Sequence, residues 1–465
     1  MAFVLSCFRD KKAFHYCIYK EIEGMGMMKT IQIGLLGFGT VGTGVAKLLM
    51  ENADVLQARV GTPLKLKYIA DIEIDKDRGL SIDPTLLTTD AAMVVDDPEI
   101  DIIIEMIGGD GIAKDLMLRA IENGKHVVTA NKALLAKHGN EIFAKAGKKG
   151  VDVAYEASVG GCMPIIKSLR ESLVGNHIRS MAGILNGTCN YILSRSAEDG
   201  SSFEDVLAEA QKNGFAEADP TLDIEGIDTA HKLAILTSLA YGMEINYKDI
   251  YIEGISKITP MDIEFAREFG YRIKLLAITK DTGDAVEARV HPTMIPFTNP
   301  LSGVNGVLNA VTITGDAVGD MMLYGYGAGM MPTASAVVGD IADIARNLLS
   351  NAKSRIPMLS YQMDRIRKIP VRRIDEIIIH YYFRFSALDR PGVLSKISGI
   401  LGDNEISIKS VQQKGRKTNG AVPIVMLTHL AREADVQKAL TEILNLDVVS
   451  DRPVLIRIED ENQED

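Results

Sequence analysis

Residues 29–50 read KTIQIGLLGFGTVGTGVAKLLM, and the order of residue types in this stretch decides the fold. Lys29–Leu36 (KTIQIGLL) is apolar and β-branched, as a strand buried on both faces of a parallel sheet should be. Gly37, Phe38, Gly39, Thr40, Val41 and Gly42 follow as GxGxxG, and a helical run continues through Met50. Glycine at the first two positions lets main-chain amides approach a pyrophosphate at a helix N-terminus; the third lets helix pack closely on strand. A tight turn without a ligand would use the same hexapeptide, so its surroundings decide. Leu64–Ala70, residues 100–107 (IDIIIEMI) and residues 125–129 (KHVVT) read as further strands, separated by helical stretches at 111–123 and 133–148. That alternation predicts an α/β doubly wound sheet with ligands at the carboxyl ends of its strands.

The strand ends carry the candidate chemistry. Thr129-Ala130-Asn131-Lys132 places a lysine where a nicotinamide ring would sit. A lysine merely solvated there would oppose the helix dipole, which favours a functional reading. Residues 151–165 (VDVAYEASVGGCMPI) give a strand, then Glu156 and a run of small residues whose carbonyls could face a cation. From spacing alone, pairing of Glu156 with a neighbouring base is the better reading. Residues 180–317 hold a second α/β unit. Within it, Gly214–Tyr241 loads Glu217, Asp219, Asp223, Glu225 and Asp228 onto the front of a helix that runs on through His231 and Lys232. Acids at a helix start suit the macrodipole. Asp228 and Lys232 stand at i and i+4 on one helical face, where an exposed pair contributes only about 0.3–0.5 kcal/mol.

Residues 325–348 form a glycine-rich loop and a helix long enough to return to the first unit, and the polar, basic residues 349–376 read as a linker. From residue 377 the order is strand, helix, two strands, helix, strand, the βαββαβ of a ferredoxin-like unit. The acidic tail Glu459–Asp465 is expected to be disordered. Residues 1–27 lack the apolar region and cleavage site of a signal peptide, and are expected to be an upstream extension or a disordered arm.

Composition narrows the function classes. Lys and Arg total 51 against 62 Asp and Glu, a net charge of −11, with no long basic run, so nucleic acid is not an expected partner. The charge-free stretches Pro292–Gly315 and Met321–Gly339 are interrupted by Pro, Gly or Asn, and no membrane span is expected. Cys7, Cys17, Cys162 and Cys189 fall in no metal or disulfide spacing, which suggests reduced thiols and a cytoplasmic location.

GFGTVG (37–42), TANKALLA (129–136), YEASVGG (155–161), ILNGTCNYIL (184–193), GFAEADPTLDIEGIDTAHKLAIL (214–236) and GAGMMPTASAV (327–337) occur in this order. Over roughly residues 28–460 the chain resembles homoserine dehydrogenase with a C-terminal ACT domain, whose ligand-sensing edge is matched by ALDRPGVLSKISGILGDNEISIKSV (387–411). The resemblance implies a Rossmann-type cofactor domain (28–160, completed by the helix at about 325–348), an α+β substrate and dimerisation domain (161–324), a linker (349–376) and an ACT domain (377–459). It implies reversible, NADP- or NAD-dependent reduction of L-aspartate 4-semialdehyde to L-homoserine, in threonine, methionine and isoleucine biosynthesis.

By the same resemblance Lys232 is the acid/base residue, Asp228 holds it, Lys132 lies between nicotinamide and substrate, and Glu217 with Asp223 receives the amino end of the substrate. Hydride delivery to an aldehyde leaves an alkoxide that needs a proton, which an ammonium can supply. Gly37–Gly42, Lys132 and Gly329 would line the dinucleotide. Asp71 favours a free ribose and Arg78 a 2′-phosphate, with NADP slightly ahead. Glu156 with the main chain of Val159, Gly161 and Met163 would hold a monovalent cation, sodium; Cys162 stands where relatives have glycine and reads as a buried packing residue. Asp389, Gly392, Asn404 and Ile406 would bind an effector, L-threonine, between two ACT domains. Exposed sheet edges then call for a homodimer or homotetramer, and removal of 377–465 should abolish inhibition and spare activity. Two other classes compete with this reading: an amino-acid sensor with a non-catalytic dehydrogenase-like half, and an aspartate-semialdehyde dehydrogenase, which would need a thiolate.

Overall fold

The computed structural model describes residues 29–352, 354–413 and 420–460. The expected N-terminal extension and Cys7 and Cys17 therefore lie outside the described residues.

The first unit is a six-stranded, all-parallel sheet in the order β3-β2-β1-β4-β5-β6, where β1 is Ile31–Leu36, β2 Leu64–Ala70, β3 Leu87–Thr88, β4 Ile102–Glu105, β5 His126–Thr129 and β6 Val153–Ala154. Order reverses between β1 and β4, and that switch point is where such sheets open a ligand crevice. Helices α1 (Thr40–Glu51), α2 (Ile112–Glu122) and α3 (Lys132–Lys149) follow the strands that carry the motifs.

The second sheet is longer than the sequence suggested. Eleven strands join two units in the order β12-β11-β7-β9-β10-β17-β13-β15-β14, with β8 and β16 paired at its side. In the substrate unit lie β7 (Ile178–Ile184), β8 (Tyr251–Ile252), β9 (Tyr271–Asp281), β10 (Val286–Pro296), β11 (Leu308–Gly315) and β12 (Gly319–Tyr326). Helices α4 (Gly187–Asp199) and α5 (Ile227–Tyr241) pack on it. Helix α6 (Met330–Leu349) returns to the first unit, where Gly44 of α1 leaves room for Met330 and Ala334.

The C-terminal unit comprises β13 (Ile378–Leu388), α7 (Val393–Asp403), β14 (Ile408–Gln413), β15 (Ala421–Thr428), β16 (Ala431–Arg432), α8 (Glu433–Leu444) and β17 (Val454–Ile458), the expected βαββαβ with one added bridge strand. It is not a separate appendage. β17 pairs in parallel with β10, Thr293 opposite Arg457. Buried ion pairs cross the same seam. Asp262, 0% exposed, receives Arg384 Nε at 2.6 Å and Nη2 at 3.0 Å, with Tyr382 Oη at 3.1 Å. Arg457 donates to Glu433 at 2.6 and 2.9 Å and to Glu253 at 2.8 Å.

Two sequence expectations give way here. Residues 349–376 are not a free linker: Met358 and Leu359 are buried, Tyr155 Oη bonds the Met358 carbonyl, and the amide of Arg367 donates to Gly242 at 3.0 Å. Nor is the start of the acidic tail disordered. Glu459 accepts from Arg289 and Lys280, both at 2.7 Å, because β10 buries an arginine that only a carboxylate can neutralise. Residues 461–465 lie outside the described residues.

Candidate active site

Two strand ends and one helix bring the motifs together. β5 ends at Thr129, whose hydroxyl donates to Glu105 Oε2 at 2.7 Å; Glu105 Oε1 accepts the amides of Ile107 (2.9 Å) and Gly108 (3.1 Å). This fixes the turn after β4. Asn131 caps α3, accepting from the Leu134 amide at 3.1 Å and donating to the Gly109 carbonyl at 2.6 Å, so that Lys132 becomes the first helical residue.

On the substrate side β7 ends at Ile184, and Asn186 caps α4 by accepting from the Cys189 amide at 2.8 Å. The same Asn186 donates to Asp223 at 2.7 Å and to Asp228 Oδ2 at 3.1 Å. Thr188 Oγ1 donates to the other Asp223 oxygen at 3.1 Å. α5 presents Asp228, His231 and Lys232, all buried. Lys232 Nζ donates to Asp228 Oδ2 and to the Leu185 carbonyl, each at 2.6 Å. Lys132 Nζ lies 3.0 Å from Asp228 Oδ1. Burial alone would raise the Asp228 carboxyl, but Lys232 and Lys132 hold it well below the usual range. Asp228 in turn raises Lys132. Lys132 and Lys232 thus face one carboxylate, one lysine on each oxygen.

A cavity of about 320 Å³ opens here, with Val41 of α1, Lys132, Glu217, Asp223, Asp228 and His231 in its wall. The Asp228–Lys232 pair is therefore a buried site pair and not a solvated helix pair. The acids before it do not load the helix front. α5 begins only at Ile227; Glu217 and Asp219 sit on an exposed loop, and Asp223 on the short turn Thr221–Ile224. Asn186, Thr188, Glu105 and His231 belong to the site and were given no role from sequence. Legible signals existed: a capping asparagine in Asn-Gly-Thr after a strand, and a lone carboxylate ending the apolar run IIIE.

The glycine motif is built to take a dinucleotide. A Cβ on Gly37 would lie 2.6 Å from the Met106 carbonyl carbon, one on Gly42 would overlap the Gly37 oxygen, and Gly39 is open. No side chain caps the N-terminus of α1 at Gly39, which leaves its first amides for phosphate. Asp71 Oδ2 accepts the Phe38 amide at 2.5 Å. Arg78 bonds Asp71 at 3.2 Å and lies over the Phe38 ring at 4.9 Å. Gly329 caps α6 with φ 125°.

Glu156 is buried and, among the described residues, forms no ion pair with a base; its oxygens accept the amides of Ile166 (2.9 Å) and Lys167 (2.8 Å). Burial and the neighbouring Asp340 push its carboxyl up to about 7. The Met163 carbonyl accepts from Ile165. Among the described residues no group of three or more His, Cys, Asp or Glu gathers as a metal site. Cys162 is exposed, against its expected burial, because the 160–161 turn carries it outward beside Gly325; Cys189 is buried and its thiol is raised well above its usual value by burial. Cys189 does not suit a catalytic thiolate. In the C-terminal unit Asp389 and Gly392 lie before α7, whereas Asn404 and Ile406 lie after it. Eleven helical residues span about 16 Å, so one chain does not bring the two pairs together. No helix among the described residues is long and apolar enough to cross a membrane.

Residues 37–156 match the NAD-binding domain of homoserine dehydrogenase, residues 164–342 the homoserine dehydrogenase family itself, and residues 381–448 the ACT domain. The homoserine dehydrogenase of Neisseria gonorrhoeae is 47% identical over 432 residues, covering 93% of this chain and 99% of the relative. The crystal structure of a homoserine dehydrogenase from Thiobacillus denitrificans superposes with a TM-score of 0.88 at 48% identity, covering 93% of this chain and 99% of that one. A hyperthermophilic archaeal homoserine dehydrogenase in complex with NADPH superposes with a TM-score of 0.57 at 26% identity, covering 68% of this chain and 97% of that one.

Proposed function

The chain belongs to the homoserine dehydrogenase family, and we propose that within that activity Lys232 is the proton donor and acceptor, positioned by Asp228 and assisted by Lys132. The observation that carries this reading is the single carboxylate of Asp228 with one lysine on each oxygen. A nicotinamide cofactor held by Gly37–Gly42 would supply the hydride to the aldehyde carbon of L-aspartate 4-semialdehyde, or accept it from L-homoserine. Lys232 then gives its proton to the oxygen as negative charge develops, and takes one back in the reverse direction. Asp228 and the Leu185 carbonyl keep the amine aimed. Lys132, at the strand end nearest the cofactor crevice, adds a second positive charge beside the same oxygen. Glu217 and Asp223 in the cavity wall supply carboxylates for the substrate ammonium, Asp223 held in place by Asn186 and Thr188.

Arg78 supports NADP as the preferred dinucleotide, since its guanidinium lies over Phe38 of the glycine loop and already neutralises Asp71. Glu156 and Asp340 place more buried negative charge than Lys167 offsets, which supports a sodium ion held by the carbonyls of Val159, Gly161 and Met163 beside Glu156. L-threonine is the effector on this reading, gripped between Asp389 and Gly392 of one ACT unit and Asn404 and Ile406 of a second copy. The exposed β12 edge, with Met322, Tyr324 and Tyr326, supports a homo-oligomer. The enzyme is assigned to the cytoplasm, where the Cys189 thiol stays reduced.

Homoserine-dependent reduction of NADP and of NAD, followed by nicotinamide absorbance, tests the assignment. Lys232→Met should lower kcat by about 10²–10⁴-fold with the cofactor Kd unchanged. Undiminished turnover in that variant would remove Lys232 from the reaction.

A further inference from the structure

Asn309, on β11, is 1% exposed, and both its Oδ1 and its Nδ2 are buried without a hydrogen-bond partner among the described residues. A buried polar group in this condition lowers stability unless another state satisfies it. The amide lies against Gly327: a Cβ at 327 would overlap its Cγ, Oδ1 and Nδ2. Gly327 is also where two main-chain segments cross. A Cβ on Gly161 would lie 2.6 Å from the Gly327 carbonyl carbon, and the Cys162 amide donates to the Tyr326 carbonyl at 3.2 Å.

This crossing joins the two halves of the active site. One strand of it, 160–162, comes from the end of the cofactor unit; the other, 325–329, leads into α6. The first residue of α6, Met330, packs on Gly44 of α1, a little over one helical turn beyond the pyrophosphate cradle at Gly39–Thr40. A dinucleotide seated in that cradle would therefore lie close to the helix that this loop leads into.

We propose that Asn309 is a positioning residue whose amide pairs with the main chain at Gly327–Ala328 only when the dinucleotide is seated. Gly327 is the residue this amide lies against, and a small rotation of the glycine loop would turn one of its peptide groups toward the amide. Binding then gains hydrogen bonds that the unliganded state lacks, so the loop settles on the cofactor and couples the cofactor crevice to the β11 edge of the substrate unit. This rests on the dinucleotide lying in the Gly37–Gly42 cradle.

The test compares the full-length chain with Asn309→Leu and Asn309→Ala by thermal unfolding with and without NADP, and by NADP titration. Asn309→Leu should unfold at a temperature no lower than the parent when unliganded, since an isosteric apolar group replaces an unpaired amide. Its NADP-induced rise in Tm should shrink, and its NADP Kd should weaken by about tenfold. Asn309→Ala, which cannot overpack the site, should lose the NADP-induced rise in the same way. A lower unliganded Tm for Asn309→Leu would overturn the proposal, because the amide would then be satisfied without ligand. An unchanged NADP-induced rise in either variant overturns it too. No NADP-induced rise in the parent chain overturns the cradle placement and this inference together.

Discussion

Asp228 Oδ1 stands 3.0 Å from Lys132 Nζ, an ion pair that crosses from the helix of the substrate unit to the first residue of a helix in the cofactor unit. Its other oxygen holds Lys232 at 2.6 Å. One carboxylate thus sets the spacing of two lysine side chains and, through Lys132, links the two units at the wall of the cavity.

Asp228→Asn removes that anion and leaves two ammonium ions facing each other in a poorly solvated site. The pKa of Lys132, which Asp228 raises, should fall, so the basic limb of the pH–rate profile should move to lower pH. Breaking a buried pair from one side costs about 3–5 kcal/mol, which thermal unfolding would register. A parent-like profile and stability would show that Asp228 does not govern the lysines.

His231 makes a pH prediction of defined sign. Burial pushes its imidazole down to about 4, with Asp228 opposing and Lys137, Lys132 and Lys232 reinforcing, and its ring packs on Tyr247 at 4.5 Å. Between its ordinary value of 6.5 and about 4, the unfolded chain binds this proton and the folded chain does not. Stability therefore drops as pH falls through that window. His231→Gln should flatten this part of the stability curve, measured as Tm against pH; an unchanged slope would assign it to other groups.

Arg78→Leu separates the two dinucleotides. Losing a charge-assisted contact to a 2′-phosphate is worth about 10–100-fold, so the KM for NADP should rise by that factor while the KM for NAD barely moves. Equal losses for both cofactors would place Arg78 away from the phosphate and reduce it to a tether for Asp71.

Removal of the C-terminal unit is now expected to damage the enzyme, against the expectation from sequence. The cut would expose the β10 edge and strand Arg289 and Asp262 without their partners Glu459 and Arg384. Arg384→Met alone should cost about 3–5 kcal/mol through the uncompensated Asp262. A truncated chain with parental Tm and turnover would show that the seam is dispensable.

The threonine reading calls for two copies of the chain. Asp389→Ala and Asn404→Ala subunits should each be insensitive to threonine alone. Mixed dimers of the two should recover partial inhibition, because one composite site is then intact. No recovery would mean that both residues act within one chain or that the effector binds elsewhere.

The sequence by itself determined the parallel sheet, the glycine cradle and the βαββαβ unit. Each follows from local periodicity and turn chemistry, which neighbouring residues impose on one another: β2 falls on Leu64–Ala70 as read, and α3 begins at Lys132, one residue before its expected start. It also put Asp228 and Lys232 on one face, since i and i+4 fix that geometry. Only the tertiary structure decided that this pair is buried, that Lys132 joins it from about a hundred residues upstream, and that Asn186 and Thr188 hold Asp223. The same holds at the seam, where Glu459, read as tail, neutralises Arg289, and at Asn309, whose unpaired amide appears only once Gly327 is laid against it. Burial and long-range charge pairing depend on which distant segments share a volume, and that is a property of packing that no local pattern encodes.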